Sequence, residues 1–441
     1  MNKETIRGNV LLKFVFQLLI LCLCLLVPNQ IAVAVTSLEV NTTKQFGDKV
    51  KIAWNEVTDA VSYKLYISVG DNKKYKFVSE IASAIDDTLN EDMTQLTEQT
   101  EPSKLQHFYN GLSAKKTYYF KLQAIDANGN VLDTDTTNLF NGNIVSTTKQ
   151  KYSYSDMKKD IKQLCNKYSD YVHVNIIGTT VDQRNIYDVV LGNPEAEKCV
   201  VFQASIHARE YMTSQLVMEQ MEYYLDNYNK KYDGKTYKDI FDKVCVHVVA
   251  MSNPDGVTIS QKGFSSIRSK ELRKKLKKMR GASNTTVWKA NAKGVDLNRQ
   301  FDYKFKYVKK WKKGSYALYG GKKPVSENET KALVQLVNDL NPKAVVNYHA
   351  MGNVIYCRYG GKKKVQKKVY KLAGEIRSLT GYSYMGLDQS PGFANWLVCK
   401  KGIPSCTVEI GMHKTPVPIS QWSNVWKQNK NVMAATAKLY N

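Results

Sequence analysis

The stretch Ser205-Ile206-His207-Ala208-Arg209-Glu210 sets an imidazole and a carboxylate three residues apart, just beyond an apolar run at 199–204. A turn at the end of a strand would aim both side chains at one point. An imidazole nitrogen plus a carboxylate oxygen suits zinc, which also needs a third protein ligand and keeps one position for water. Taken alone, the pair has a second reading, a helix start with Glu210 beside the positive helix N-terminus. The third donor has few sources, because the chain has six histidines. His349 closes the apolar run 344–348 and precedes Ala350, Met351 and Gly352, so it too stands where a strand turns. His247 lies inside a strand and reads as a satisfied core histidine. His413 is a weaker rival, and His107 and His173 lie far from these turns in sequence.

Three more fragments carry candidate chemistry. Asn253-Pro254-Asp255-Gly256 is a turn signature directly after a strand-like run. In Gly294-Val295-Asp296-Leu297-Asn298-Arg299, the adjacent Asn and Arg can grip a carboxylate through charge-assisted hydrogen bonds. Asp296 can accept the proton of a metal-bound histidine and so fix its tautomer. Surface salt bridges are the plainer account of that fragment by itself. Thr407-Val408-Glu409-Ile410-Gly411 sets one carboxylate in an apolar run. Burying an ionised Glu among Val and Ile is costly without a partner, so Glu409 is either a general base or an acid paired with a cation.

Such residues need strands that end at one common edge. The runs 199–204, 244–251, 344–348 and 406–410 are almost continuously apolar, and helix-periodic stretches such as 156–168 and 213–228 separate them. This alternation over 151–441 predicts an α/β sheet covered on both faces, with its site at the strand ends. Residues 36–149 read differently. The runs 50–54, 63–67 and 118–124 alternate apolar and polar residues between Asn, Gly and Asp clusters, as in a small antiparallel sandwich. Trp54 followed by Asp59-Ala60-Val61-Ser62-Tyr63, and Gly111-Leu112-Ser113-Ala114 leading into Tyr118, resemble a fibronectin type III domain. That resemblance implies a spacer or a binding platform, with 86–101 as a long loop insertion.

Residues 1–34 read as a secretory signal peptide: Lys3, Arg7 and Lys13, an apolar stretch at 14–27, then Ala32-Val33-Ala34. An uncleaved membrane anchor is the alternative. With the segment removed, the chain is expected to be soluble, extracytoplasmic and monomeric, with no membrane association. Cys22 and Cys24 leave with it, and the remaining six of eight cysteines permit disulfides whose pairing stays open. No C-x-x-C pair marks a thiolate metal site. The net charge of +24 favours an anionic partner such as a cell-wall polymer. Nucleic acid is a poor partner, since no nucleic-acid module is recognised. The lysine runs at 270–278 and 362–371 read as solvated helix faces.

Taken together, H-x-R-E, N-P-D-G, G-V-D-x-N-R, a strand-end His and a strand-end Glu resemble the zinc carboxypeptidase family, in family order, from about residue 151 to the C-terminus. The resemblance implies a mixed eight-stranded sheet flanked by helices and one catalytic zinc held by His207, Glu210 and His349. It makes Glu409 the general base for a zinc-activated water, whose pKa falls from ~15.7 to about 7 in favourable sites. It assigns Asn298 and Arg299 to the terminal carboxylate of a peptide substrate, Arg209 to a contact further along it, and Asp296 to the support of a ligand.

Three positions depart from the family pattern. Where an arginine commonly stabilises the oxyanion just after a tryptophan, Trp288 is followed by Lys289, so Lys289 or Arg268 must supply the cation. Lysine is a point charge rather than a planar fork, and the exchange is not neutral. The family's mobile tyrosine aligns with Leu387, and Tyr384 is the nearest phenol. Ala394 falls at the specificity position, where it brings neither charge nor bulk. The leading expectation is a secreted carboxypeptidase. Its alternatives are a γ-D-glutamyl-diamino acid peptidase acting on peptidoglycan stem peptides and a non-catalytic wall-binding protein with a degenerate peptidase fold.

Overall fold

The computed structural model describes residues 37–44, 49–83, 105–113, 115–307 and 313–441. The signal-peptide segment 1–34 and the insertion 86–101 lie outside the described residues. Alternation in the N-terminal part produces seven strands: β1 (Val40–Lys44), β2 (Val50–Trp54), β3 (Ser62–Val69), β4 (Lys76–Ala82), β5 (Gln106–Tyr109), β6 (Lys116–Ile125) and β7 (Val131–Asn141). They form two antiparallel sheets, ordered β1-β2-β5 and β4-β3-β6-β7. On β3, Tyr63, Leu65 and Ile67 face inward, and on β6 Tyr118, Phe120, Leu122 and Ala124 do the same. These rows meet Val50, Ile52 and Trp54 in one apolar core, as the period of two requires.

The second part runs α1 (Tyr154–Lys167), β8 (Val172–Thr179), β9 (Asn185–Leu191), β10 (Lys198–Gln203), α2 (Met212–Asp226) and a short hairpin of β11 (Lys231–Tyr232) and β12 (Lys235–Thr236). There follow α3 (Tyr237–Lys243), β13 (Val244–Val249), α4 (Pro254–Lys262), α5 (Lys270–Lys277), α6 (Asn328–Leu340), β14 (Ala344–His349) and β15 (Val354–Tyr356). The chain ends with α7 (Lys363–Thr380), β16 (Ser383–Tyr384), α8 (Phe393–Trp396), β17 (Ser405–Glu409), α9 (Trp422–Asn429) and α10 (Val432–Lys438). Eight strands make one sheet in the order β16-β15-β17-β14-β10-β13-β9-β8. It is mixed: β14 pairs in parallel with β10 and β17, whereas β15 runs antiparallel to β17 and β9 to β13.

Every residue of β13 and β14 is buried, which explains their unbroken apolar runs. One face packs against α1, α2, α3, α7, α9 and α10, and the other against α6 and α8. Strand ends therefore align. Gln203 of β10 is level with Val249 of β13 and Asn347 of β14, and His349 is level with Glu409 of β17. The turns that follow these four strands emerge along a single edge.

Hydrogen bonds and ion pairs fasten the two parts together. The Glu222 carboxylate accepts the N–H groups of Ile144 (2.6 Å) and Val145 (2.7 Å). Lys167 donates to Gly142 O (3.2 Å) and pairs with Asp226 (3.1 Å). Lys51 pairs with Asp170 across the same junction. All six cysteines of the described residues are free thiols, with Cys199 and Cys245 register partners on β10 and β13.

Candidate active site

Past β10, the chain turns at Ser205, whose φ of 49° lies in the left-handed region that non-glycine residues rarely adopt. A local network holds that turn. Ser205 Oγ lies 2.7 Å from Ser214 Oγ and donates to Glu210 O at 3.2 Å, while its amide donates to Thr213 Oγ1 at 3.0 Å. Ala208 N donates to Lys289 O at 3.0 Å. Asn253 Nδ2 bridges Ile206 O (3.1 Å) and Ala290 O (3.2 Å). The N-P-D-G turn thus ties the His207 loop to the Lys289 loop, and its Asp255 is consumed by a buried pair with Arg184 at 2.8 Å.

The result is a convergence of three buried donors. Glu210 Oε1 lies 3.0 Å from His207 Nδ1, Glu210 Oε2 lies 3.0 Å from His349 Nδ1, and the two Nδ1 atoms are 3.2 Å apart. Ala350 N adds a donor to Glu210 Oε2 at 3.2 Å. On the far side of the ring, His207 Nε2 is 3.2 Å from Asp296 Oδ1. Asp296 is itself oriented by the amides of Asn298 (3.1 Å) and Leu318 (2.9 Å). Donating the Nε2–H hydrogen bond to Asp296 leaves the Nδ1 lone pair pointing into the cluster, the arrangement a metal-bound histidine uses. Two imidazole nitrogens and one carboxylate at one point are a fitting donor set for zinc.

Charge is concentrated around this point. Burial favours the neutral form of Glu210, yet His207 and Lys289 hold its carboxyl well below the usual carboxylate range. Lys289 Nζ lies 3.6 Å from Glu210 Oε1. Glu409, the last residue of β17, is pushed up to about 7 by burial, with His349 opposing, Glu210 reinforcing and Lys289 opposing. Raised by burial and drawn back down by a bound cation, such a carboxylate can take and return a proton near neutral pH.

Asp296 caps a 3₁₀ turn, Leu297–Arg299, that carries Asn298 and Arg299. Asn298 Oδ1 accepts the amide of Phe393 at 2.9 Å, and Arg299 Nη1 donates to Asn298 O at 2.8 Å. Arg209 is half-buried; its Nη1 reaches Val287 O at 3.4 Å, and its buried Nε has no partner among the described residues. Ala394 is buried on α8.

Two expected side chains are not delivered to the cluster. The guanidinium of Arg268 donates to Gln183 O at 3.3 Å and its amide to Asp182 at 2.9 Å, in the β8–β9 turn, so Lys289 is the cation beside Glu210. The ring of Tyr384 lies under the Arg377 guanidinium, 4.8 Å from its centroid, against α7. A phenol that sequence reasoning passed over stands closer: Tyr356 on β15 lies opposite Thr407 of β17, and burial together with the charge of Glu409 raises its pKa while Arg299 lowers it. The signal for it was weak, because β15 is only three residues long. His247 proves to be a core histidine bound to Asp188 at 2.8 Å.

Residues 157–432 match the family described as zinc carboxypeptidase. The chain belongs to that family. This zinc carboxypeptidase is 28% identical over 292 residues to the uncharacterized protein YqgT of Bacillus subtilis (strain 168), covering 64% of this chain and 76% of the relative. It is also 28% identical over 293 residues to γ-D-glutamyl-L-diamino acid endopeptidase 1 of Lysinibacillus sphaericus, covering 65% and 72%. The crystal structure of thrombin activatable fibrinolysis inhibitor superposes with a TM-score of 0.53 at 19% identity, over 67% of this chain and 76% of that one, which establishes the shared fold. As a member of this family the chain is a metal-dependent peptide hydrolase whose cofactor is zinc.

Proposed function

We propose that the chain is a secreted carboxypeptidase that removes a C-terminal residue from a peptide, with Glu409 as general base. The observation that carries this reading is the meeting of His207, Glu210 and His349 within hydrogen-bond distance of one another, with Glu409 on the neighbouring strand. When bound, zinc polarises the scissile carbonyl and acidifies the attacking water. Glu409 takes a proton from that water and returns it to the leaving amine, a relay that its place at the end of β17 beside His349 suits. Lys289 is the cation that meets the developing oxyanion. Asn298 and Arg299 hold the substrate carboxylate through charge-assisted bonds, and Arg209 contacts the peptide further along.

A second reading has a specific support, the relative from Lysinibacillus sphaericus, named a γ-D-glutamyl-L-diamino acid endopeptidase. On that reading the substrate is a peptidoglycan stem peptide. The signal-like segment 1–34 and the charge of +24 support action outside the cell on anionic wall material; the form proposed is a monomer whose fibronectin-like module serves as spacer. One experiment separates the readings. Zinc-loaded protein is incubated with ordinary peptides and with purified muropeptides: free C-terminal amino acids support the first, and cleaved stem fragments the second. Zinc binding without hydrolysis of either would leave the wall-binding protein as the remaining account. Fractionation of expressing cells tests secretion, and retention inside the cell would refute it.

A further inference from the structure

Ala394 leaves the expected specificity position without charge, yet a carboxylate enters the same neighbourhood from the preceding loop. Asp388 Oδ2 accepts from Asn395 Nδ2 at 2.8 Å and from Ser390 Oγ at 3.1 Å, and Oδ1 accepts the Ser390 amide at 2.8 Å. All three donors are neutral. Among the described residues no lysine or arginine forms an ion pair with Asp388, although the chain carries an excess of cations. Asn395 is 1% exposed, and its Oδ1 has no hydrogen-bond partner among the described residues.

The location relative to Asn298 is set by Gly392. A Cβ added there would meet Asn298 Oδ1 at 3.0 Å and Ser390 Oγ at 3.3 Å, so the Ser390–Asp388 pair is about one small side chain from the carboxylate grip. Tyr303, Tyr356 and Tyr359 all feel the charge of Asp388, and Tyr356 also feels Glu409 and Arg299, so Asp388 shares the surroundings of Tyr356 with both of them. An ammonium group brings three N–H donors and no acceptor, and a carboxylate held only by neutral donors complements it. Either an Asx-type turn or a ligand could use Asp388; the turn leaves its negative charge without an ion pair among the described residues.

We propose that Asp388 is a specificity-determining residue that pairs with the distal ammonium of a diamino acid on the leaving side of the scissile bond. This rests on the peptidase reading above, and holds whether the bond is an ordinary peptide bond or a γ-D-glutamyl one. Lysine, ornithine and diaminopimelate share the required chemistry, a carboxylate for Asn298 and Arg299 and an amine at the end of an alkyl stem. The stem would lie along Tyr356.

The test uses the full chain loaded with zinc and two substrate series, α-linked peptides and γ-D-glutamyl peptides. Each carries lysine, Nε-acetyl-lysine or norleucine at the leaving position. Wild type should favour lysine over both neutral analogues by about 10–100-fold in kcat/KM, the range expected of one charge-assisted contact. In Asp388→Asn that ratio should fall toward one, mainly through KM, whereas Asp388→Glu should preserve the preference. Zinc content and circular dichroism of each variant verify folding. Equal rates on lysine and norleucine in wild type, or a ratio unmoved in Asp388→Asn, would overturn the inference alone. Zinc-loaded wild type inert on both series would overturn the peptidase reading and the inference with it.

Discussion

His349 and Glu409 are register partners on the adjacent parallel strands β14 and β17. Neighbouring strands lie about 4.8 Å apart, so a donor of the metal cluster and the proposed base are fixed side by side by backbone pairing rather than by a loop. That rigidity serves a reaction in which the base must reach the same water that the cluster orients. Glu409→Gln is isosteric and should leave zinc content unchanged while lowering kcat/KM by roughly 10²–10⁴-fold. Retained activity in the zinc-loaded variant would remove Glu409 from the mechanism.

The same residue sets a pH dependence. Burial raises Glu409 to about 7 before any ion is present, and only its ionised form accepts a proton. Activity should therefore fall as pH drops through the folded-state pKa. A bound cation adds positive charge beside the carboxylate and moves this acid limb below about 7. The kcat/KM profile of wild type measures the limb; a limb that persists at the same pH in the residual activity of Glu409→Gln contradicts the assignment.

Asp296 acts through His207. With its Nε2 partner 3.2 Å away, the imidazole is held in the tautomer that offers Nδ1 to the cluster. Asp296→Asn can still accept a hydrogen bond but no longer stabilises the ring's polarisation. Zinc affinity should drop about 10–100-fold, read by competition with a chelator of known strength. An unchanged affinity would show that His207 needs no such support.

Lys289 is the cation nearest the cluster, 3.6 Å from Glu210. If it meets the oxyanion, Lys289→Ala should lower kcat by about 10²–10³-fold with zinc retained, whereas Arg268→Ala should leave kcat within twofold. Loss of zinc in Lys289→Ala would instead assign the lysine to holding Glu210.

The metal cluster was legible because each donor sits at the end of an apolar run, and strand ends of an α/β sheet share an edge. On spacing alone His207, Glu210, His349 and Glu409 each kept a second reading, and the family resemblance selected among them. Arg268 and Tyr384 were not legible, because each depends on which way an irregular segment points. Arg268 is drawn to the β8–β9 turn by Gln183 O and Asp182, and Tyr384 is turned against α7 under Arg377. Tyr356 and Asp388 were missed for a related reason. The strand that carries Tyr356 is too short to show a period, and Asp388 lies in a loop whose course is set by hydrogen bonds to Ser390 and Asn395.

A further test lies at Glu219 on α2. Its Oε2 is buried without a partner among the described residues, and its pKa is raised to about 8 by burial and by Glu222, Asp226 and Asp160. Lys167 pairs with Glu222 and Asp226, and has no ion pair with Glu219. The folded state thus binds this proton more tightly than the unfolded chain, whose glutamate titrates near the ordinary 4.5. Between those values the native form carries more protons, so stability declines as pH rises from about 4.5 to about 8 and the full penalty is present above it. Glu219→Gln mimics the protonated acid. It should be nearly neutral at pH 5 and should stabilise by about 2 kcal/mol at pH 8.5, a figure reduced for the partial exposure of the side chain. Urea midpoints at the two pH values measure this difference. Equal effects at both would mean that packing, rather than the buried charge, decides the cost at this position.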